Sequence, residues 1–500
     1  MDNLMMLMHG FGTVFSLENL GVCLLGSILG LIVGAMPGIG SLAGCALLLP
    51  LTYKFNPTAA IIMLGALYYS NMYGGAFSAI LLNIPGDSPA VMTVLDGHPM
   101  AQRGEPGQAL LTSNLASCIG GIVGMLILAF VGPALANIGL KFGPAEMASL
   151  MIMSLTSIGW MLGDDPIKGT LSTMIGFVLA SIGMDTLSGT PRFNFGNLYL
   201  MGGIPFVAFV IGAVGFSQII CMMSERYDAA EMPKDKLTIR GSLLSKSQLR
   251  RMFLPALRSG FLGTFIGVLP GSGATAASLL SYSAQKAFKN EEPLGTGAIE
   301  GLSACESGNN AAAAGSFAPL LALGIPGSGT GAVLLGGLMM WGLNPGPLLF
   351  TNEPDFAWGL IASLFISNII ALGISLAIIP SLIKILSVPV KYMAPIITVT
   401  CFVGAYSTSN SMYGVIIMAV FGVIGYLFTK GGIPLAPMLL SFVLAPIFES
   451  NLRKAFIISH GSLSIFFEKP ISATFLIITA ALILAPTVKK ILRKVKPVKV

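Results

Sequence analysis

Charge is what this 500-residue chain has least of. Asp, Glu, Lys and Arg together make up 10% of it against 54% apolar residues, and the mean hydropathy is +0.84. A soluble protein of this length needs more charge to cover its surface, so a water-soluble fold is excluded. Histidine is scarce: His9, His98 and His460 are far apart. The six cysteines (Cys23, Cys45, Cys118, Cys221, Cys305, Cys401) are scattered, with no Cys-x-x-Cys. They read as small buried hydrophobes, so neither a disulfide framework nor metal catalysis is expected. No His-Glu-x-x-His or Gly-x-Ser-x-Gly stands out, which leaves a membrane enzyme without a reaction constellation. The chain before Gly26 holds no Lys or Arg, so no removable signal peptide is expected there.

Long apolar runs are abundant. Leu198–Met222, Phe356–Ile379, Ser411–Phe428 and Ile471–Val488 are examples. Each is long enough to cross a hydrocarbon core of about 30 Å, and the pattern predicts roughly ten to twelve spans. The few basic residues are concentrated: 14 of the 27 Lys and Arg lie either between Arg226 and Arg258 or in the tail from Lys489 to Lys499. Positive charge stays inside, so both places are expected to be cytoplasmic. They read as topology signals touching anionic headgroups, not as a nucleic-acid site. The organisation that follows is a first transmembrane repeat over residues 1–222, a cytoplasmic linker over 223–250, a second repeat with additional spans over 251–488 and a basic cytoplasmic tail over 489–500.

The repeat is written in small residues. Gly26, Gly30, Gly34 and Gly38 run into Pro37-Gly38-Ile39-Gly40-Ser41; Ser259, Gly263, Gly267 and Gly271 run into Pro270-Gly271-Ser272-Gly273-Ala274, 233 residues later at every rung. A second break, Ile84-Pro85-Gly86, recurs 241 residues on as Ile325-Pro326-Gly327. Paired interruptions in corresponding positions of two halves point to a transporter's binding site. Because the first copy is preceded by no basic residue and the second directly by the eight between Arg226 and Arg258, the halves are expected to enter the membrane from opposite sides, as inverted repeats. The fold class is therefore an all-α polytopic membrane protein whose halves each carry re-entrant or broken helices, with an elevator-like motion expected of paired hairpins. Pro37 to Pro50 is too short to span, since 14 residues make about 20 Å of helix.

Helix starts follow the four breaks: Ser41; Ser272 or Ala274; Asp87 or Ser88, with Pro89 as first helical residue; and Ser328 or Thr330. Such ends carry unpaired N–H groups and the positive end of the helix dipole, so several converging would hold an anion without Lys or Arg. The candidate substrate-binding residues are Gly38, Gly40, Ser41, Ser70, Asn71, Gly86, Ser88, Gly271, Ser272, Gly273, Asn309, Asn310, Gly327, Ser328 and Thr330. Candidate cation ligands are Gly38, Asn71, Gly271, Glu306 and Asn310, since intramembrane polar side chains mark ion or solute paths. Asp87 itself reads as a structural cap. The glycine ladders also fit plain helix-packing seams, and the asparagines also fit interhelical hydrogen bonds.

The ordered motifs resemble the large membrane (permease) subunit of the tripartite tricarboxylate transporter family. They are Gly34-Ala-Met-Pro-Gly-Ile-Gly40, Leu82-Asn-Ile-Pro-Gly86, Leu95-Asp-Gly-His-Pro-Met100, Arg192-Phe-Asn-Phe-Gly196, Gly267-Val-Leu-Pro-Gly-Ser-Gly273, Asn309-Asn-Ala-Ala312, Leu323-Gly-Ile-Pro-Gly-Ser-Gly329 and Gly342-Leu-Asn-Pro-Gly-Pro-Leu-Leu-Phe350. The resemblance implies secondary active uptake of a tricarboxylate or related organic acid across a bacterial inner membrane. It implies Na⁺ as the coupling ion (with H⁺ as the other candidate) and no other cofactor. The implied partners are a small four-span membrane subunit and a periplasmic solute-binding protein, with a homo-oligomer also compatible. A passive anion channel or a non-transporting assembly subunit is the alternative.

Overall fold

The computed structural model describes residues 3–36, 39–161, 165–185, 188–224, 237–238, 240–271, 273–382 and 390–495. Most of them are helical, and the strands among them form a two-residue antiparallel ribbon, Gly183–Met184 with Pro191–Arg192. Six helices among the described residues are long and apolar enough to cross a bilayer: Leu17–Ala35, Pro106–Gly139, Phe206–Ser224, Pro354–Ser381, Met412–Lys430 and Leu435–Ile458. Four shorter apolar helices accompany them. The six alone are fewer than the ten to twelve expected from hydropathy; with the four shorter ones they make ten among the described residues. Other long helices carry polar residues: Pro57–Leu82 and Ile299–Gly315 bury theirs against protein, while Lys246–Val268 leaves Lys246 and Arg250 exposed.

The chain forms two compact units, each from two segments: residues 1–137 with 205–431, and residues 138–204 with 432–500. In the smaller unit, Pro144–Met161 and Pro166–Ala180 pack against Leu435–Ile458. Gly176 lies directly on the Met438 carbonyl, where any side chain would collide. Arg192 grips Glu449 through both terminal nitrogens (2.7 and 3.2 Å), and Arg453 reaches Asp185 at 2.7 Å.

The larger unit holds both sets of breaks. In its first half a ladder helix, Leu17–Ala35, precedes a short helix, Gly40–Leu48. A connecting helix, Pro57–Leu82, begins with Asn56 capping the Ala59 N–H and Pro57 at the first position, where its missing N–H costs nothing. It ends at Asn83 in the left-handed conformation (φ 60°). A tight turn, Ser88–Ala90, then leads into Val91–Gln102. In the second half the ladder helix is Lys246–Val268, opened by a reciprocal Ser245–Gln248 cap, and the short helix is Gly273–Gln285. The ladder helix thus starts inside the stretch assigned to the linker. The connecting helix comes in two pieces, Ile299–Gly315 and Phe317–Leu323, because Pro319 lacks the N–H that would continue the ladder of backbone bonds. It ends at Gly324 (φ 69°), 241 residues after Asn83, and Gly329–Met340 follows.

Both ladders work as close-packing seams. A Cβ on Gly26, Gly30 or Gly34 would strike the carbonyls of Met63, Leu67 and Asn71 on the connecting helix. On Gly263 or Gly267 it would strike those of Gly308 and Ala312. The partners of Gly30 and Gly263, and of Gly34 and Gly267, are themselves 241 residues apart, so the two helix pairs meet in the same register. The packing role of the small residues is real, and it sets the geometry of the breaks.

Candidate functional site

The second break of each half folds back on its own ladder. Ile84 N–H donates to the Ser78 carbonyl at 3.4 Å and Ile325 N–H to the Pro319 carbonyl at 3.1 Å, again 241 positions apart. Gly86 lies against the Gly34 carbonyl, and an added Cβ on Gly327 would stand 3.2 Å from the Gly267 carbonyl. Each short helix starts from a glycine with φ of 63°, Gly40 in one half and Gly273 in the other. That conformation suits glycine and strains other residues.

The halves then cross. The first short helix packs on Gly329–Met340, and the second packs on the Ser88–Ala90 turn. The hydroxyls of Ser41 and Thr330 share a hydrogen bond at 3.0 Å, and Tyr68 OH lies 3.4 Å from Ser328 Oγ. Ser328 caps its own helix by accepting from Gly331 N–H at 3.1 Å. Residues of the first break of one half therefore touch the second break of the other.

Asp87 sits at this junction. Its Oδ1 accepts from Ser88 N–H (2.7 Å), and its Oδ2 accepts from Ser41 N–H (2.9 Å) and from the Asn71 amide (2.8 Å). It caps its own turn, as its sequence position suggests, and also the N-terminus of the first short helix. Ser41 was expected to open that helix; its flanking residue Ile39 makes no side-chain cap, and Asp87 does the work from 46 positions away. Asn71 is fully buried, and its Oδ1 has no partner among the described residues.

The structure brings Gly40, Ser41, Asn71, Gly86, Ser328 and Thr330 together with Asp87 and Tyr68. Ser88 contributes its N–H while its side chain is exposed. Gly271 (φ 78°) and Gly273 form the entry to the second short helix. Gly38 and Ser272 lie outside the described residues. Ser70 faces elsewhere: it bonds Ser367 at 3.3 Å, as does Ser27 at 3.1 Å. Successive helix residues point about 100° apart, so Ser70 and Asn71 cannot both face the tip.

A second polar group lies on the other connecting helix. Glu306, fully buried, accepts from Thr93 Oγ1 and, at 3.1 Å, from Ser117 Oγ. Asn310 donates to the Glu306 carbonyl at 3.0 Å, and Asn309 and Asn310 each keep a buried side-chain oxygen without a partner among the described residues. Among the described residues no Lys or Arg forms an ion pair with Asp87 or Glu306. Arg258, the basic residue nearest the second ladder, is turned to Gln285 and the Phe288 ring.

Sequence reasoning assigned Asp96 no role. It is fully buried, and its Oδ1 accepts from three backbone N–H groups, Gly295, Gly297 and Ala298, at 2.8–2.9 Å. Its Oδ2 accepts from Tyr282 OH at 2.8 Å. A residue of the first half thus caps the second connecting helix, whose own flanking residue, Ala298, supplies no side-chain cap. Around it, Arg103 binds Glu292 and the Gly297 carbonyl, while Arg251 binds Glu300. The Leu95–Met100 motif was the only sequence signal for this lock.

The sequence pattern of the tripartite tricarboxylate transporter TctA family matches residues 20–440. The chain belongs to that family. It is 39% identical over 482 residues, 96% of its length and 95% of the relative's, to a 52.8 kDa protein of the TAR-I ttuC′ 3′ region of Agrobacterium vitis. It is 40% identical over 231 residues to a protein of the TAR-II ttuC′ 3′ region of the same organism, covering 45% of this chain and 96% of that one. The TctA chain is thus a multi-pass membrane protein of a transporter family. The systems to which that family belongs are tripartite, with a small membrane subunit and a periplasmic binding protein as the other parts.

Proposed function

We propose that this TctA chain is the Na⁺-coupled importer of a tricarboxylate or related organic acid, acting in the bacterial inner membrane with its linker and C-terminus cytoplasmic. The observation that carries the reading is the crossed junction: Ser41 and Thr330, from opposite halves, meet at 3.0 Å where helix N-termini gather. An organic acid anion held there would be stabilised by backbone N–H groups and helix dipoles, without a fixed basic side chain. Unpartnered asparagine oxygens supply the hard ligands that Na⁺ takes. The repeats are read as inverted, and one bundle moving against the other would carry both ions. Proteoliposomes test this directly. Accumulation of labelled tricarboxylate against its gradient, lost when Na⁺ is replaced by choline, is expected. Flux that only dissipates a gradient and ignores the cation would instead make the protein a channel.

A further inference from the structure

The two half-sites are built to one plan but differ at one position. Asp87 follows Gly86 in the first half; the residue following Gly327, 241 positions on, is Ser328. The first short helix therefore already has a carboxylate at its N-terminus, the protein's own, whereas the second half has a hydroxyl at that point. A carboxylate offers about four acceptor sites, and three donors reach this one: Ser88 N–H, Ser41 N–H and the Asn71 amide. The bond from the Asn71 amide to Asp87 also fixes which way that amide points, because the flipped form would set oxygen against oxygen. Its Oδ1 is therefore a true acceptor, buried and without a donor among the described residues. Asp87 is half-buried beside the exposed Ser88, so the junction can be reached, while Asn71 is sealed. No ion pair to Asp87 is found among the described residues.

From this we infer that the first half-site is a monovalent-cation site, with the Asp87 carboxylate and Asn71 Oδ1 as ligands, and that the solute's carboxylate binds on the side of the second half. The inference rests on the transport reading for its second clause and stands without it for the first. An acid that occupies the helix N-terminus repels a second anion there and attracts a cation, and the buried amide oxygen gives that cation a second ligand. Na⁺ fits oxygen ligands of this kind. The half-sites have diverged in charge while keeping the backbone plan in common.

The test reads Na⁺ binding on the full chain in lipid nanodiscs, with no organic acid present. Na⁺ is titrated against choline at constant ionic strength, by ²²Na⁺ binding and by the shift in melting temperature. Wild type should bind Na⁺ saturably. Asn71→Ala and Asp87→Asn should each weaken that binding at least about tenfold, the lower end of what loss of an outer-shell partner already costs at a metal site. Asp355→Asn, the same chemical change at an exposed carboxylate paired with His9, should bind like wild type. If Asp87→Asn fails to fold, Asn71→Ala decides, because it keeps both backbone caps on Asp87. Saturable binding unchanged by Asn71→Ala, or no Na⁺ binding by wild type, overturns the inference. Weakened Na⁺ binding in the variants together with a complete lack of solute uptake by wild type would leave the cation site standing and remove the transport reading.

Discussion

The divergence between half-sites makes a quantitative prediction at Gly40 and Gly273. Both have φ of 63°, so alanine at either brings the same backbone strain, about 1–2 kcal/mol. Their surroundings differ. A Cβ on Gly40 would lie 2.9 Å from Asp87 Oδ1 and 3.2 Å from its Cγ, whereas nothing beyond its chain neighbours, among the described residues, lies within 4 Å of one on Gly273. Gly40→Ala must therefore displace the carboxylate that Ser41 N–H, Ser88 N–H and Asn71 hold. Loss of one hydrogen bond to a charged group costs about 1.5–3 kcal/mol. At 1.4 kcal/mol per tenfold, Gly40→Ala should depress transport roughly 10- to 150-fold more than Gly273→Ala. The assay is the initial rate of Na⁺-driven uptake into vesicles at matched protein density, with Na⁺ binding measured alongside. Equal losses at the two positions, or a greater loss at Gly273, would refute the reasoning that Asp87 distinguishes the half-sites.

Other outcomes follow from named contacts. Ser41→Ala and Thr330→Ala should be non-additive in thermal stability, with a coupling of about 0.5–1.5 kcal/mol in a double-mutant cycle. Ser328→Asp, which places a second acid opposite Asp87, should abolish organic acid uptake; normal uptake would show that the solute's carboxylate does not bind on that side. Asp96→Ala strands the two buried backbone N–H groups of Gly297 and Ala298 at about 1–3 kcal/mol each, so the melting temperature should fall by several degrees. Burial pushes the Glu292 carboxyl up, but its bonds to Arg103 and the charges of Arg103 and Arg251 outweigh this and hold it below the usual carboxylate range. That contribution to stability is complete above the ordinary value of 4.5 and is lost as pH falls through the lowered one. An acid melt of wild type should therefore be steeper below that value than one of Glu292→Gln.

What could be read from the sequence was what local chemistry writes there. Small residues at four-residue spacing and Pro-Gly breaks are local signals, and they located both ladders, both short helices and the capping role of Ser328. What crosses the fold left no such mark. Asp87 reads as a cap for the turn it begins; its bond to Ser41 depends on the ladder helix returning the chain to the same point. Asp96 lies in a motif with no chemistry of its own, and its three N–H partners come from the other half. Ser70 was chosen for its polarity next to Asn71, but helical periodicity turns it toward Ser367. The meeting of Ser41 with Thr330 follows from the crossed packing of the halves, which spacing alone does not encode.

A disulfide at the junction tests the central claim most directly. The hydroxyl oxygens of Ser41 and Thr330 are 3.0 Å apart, so cysteines at the two positions place their thiols side by side, and a bond between them needs Cβ atoms about 3.5–4.5 Å apart. Ser41→Cys with Thr330→Cys should cross-link under mild oxidation, lose Na⁺-driven organic acid uptake and regain it on reduction. Failure to cross-link, or full uptake by the cross-linked protein, would contradict a solute site formed where the two halves' broken helices meet.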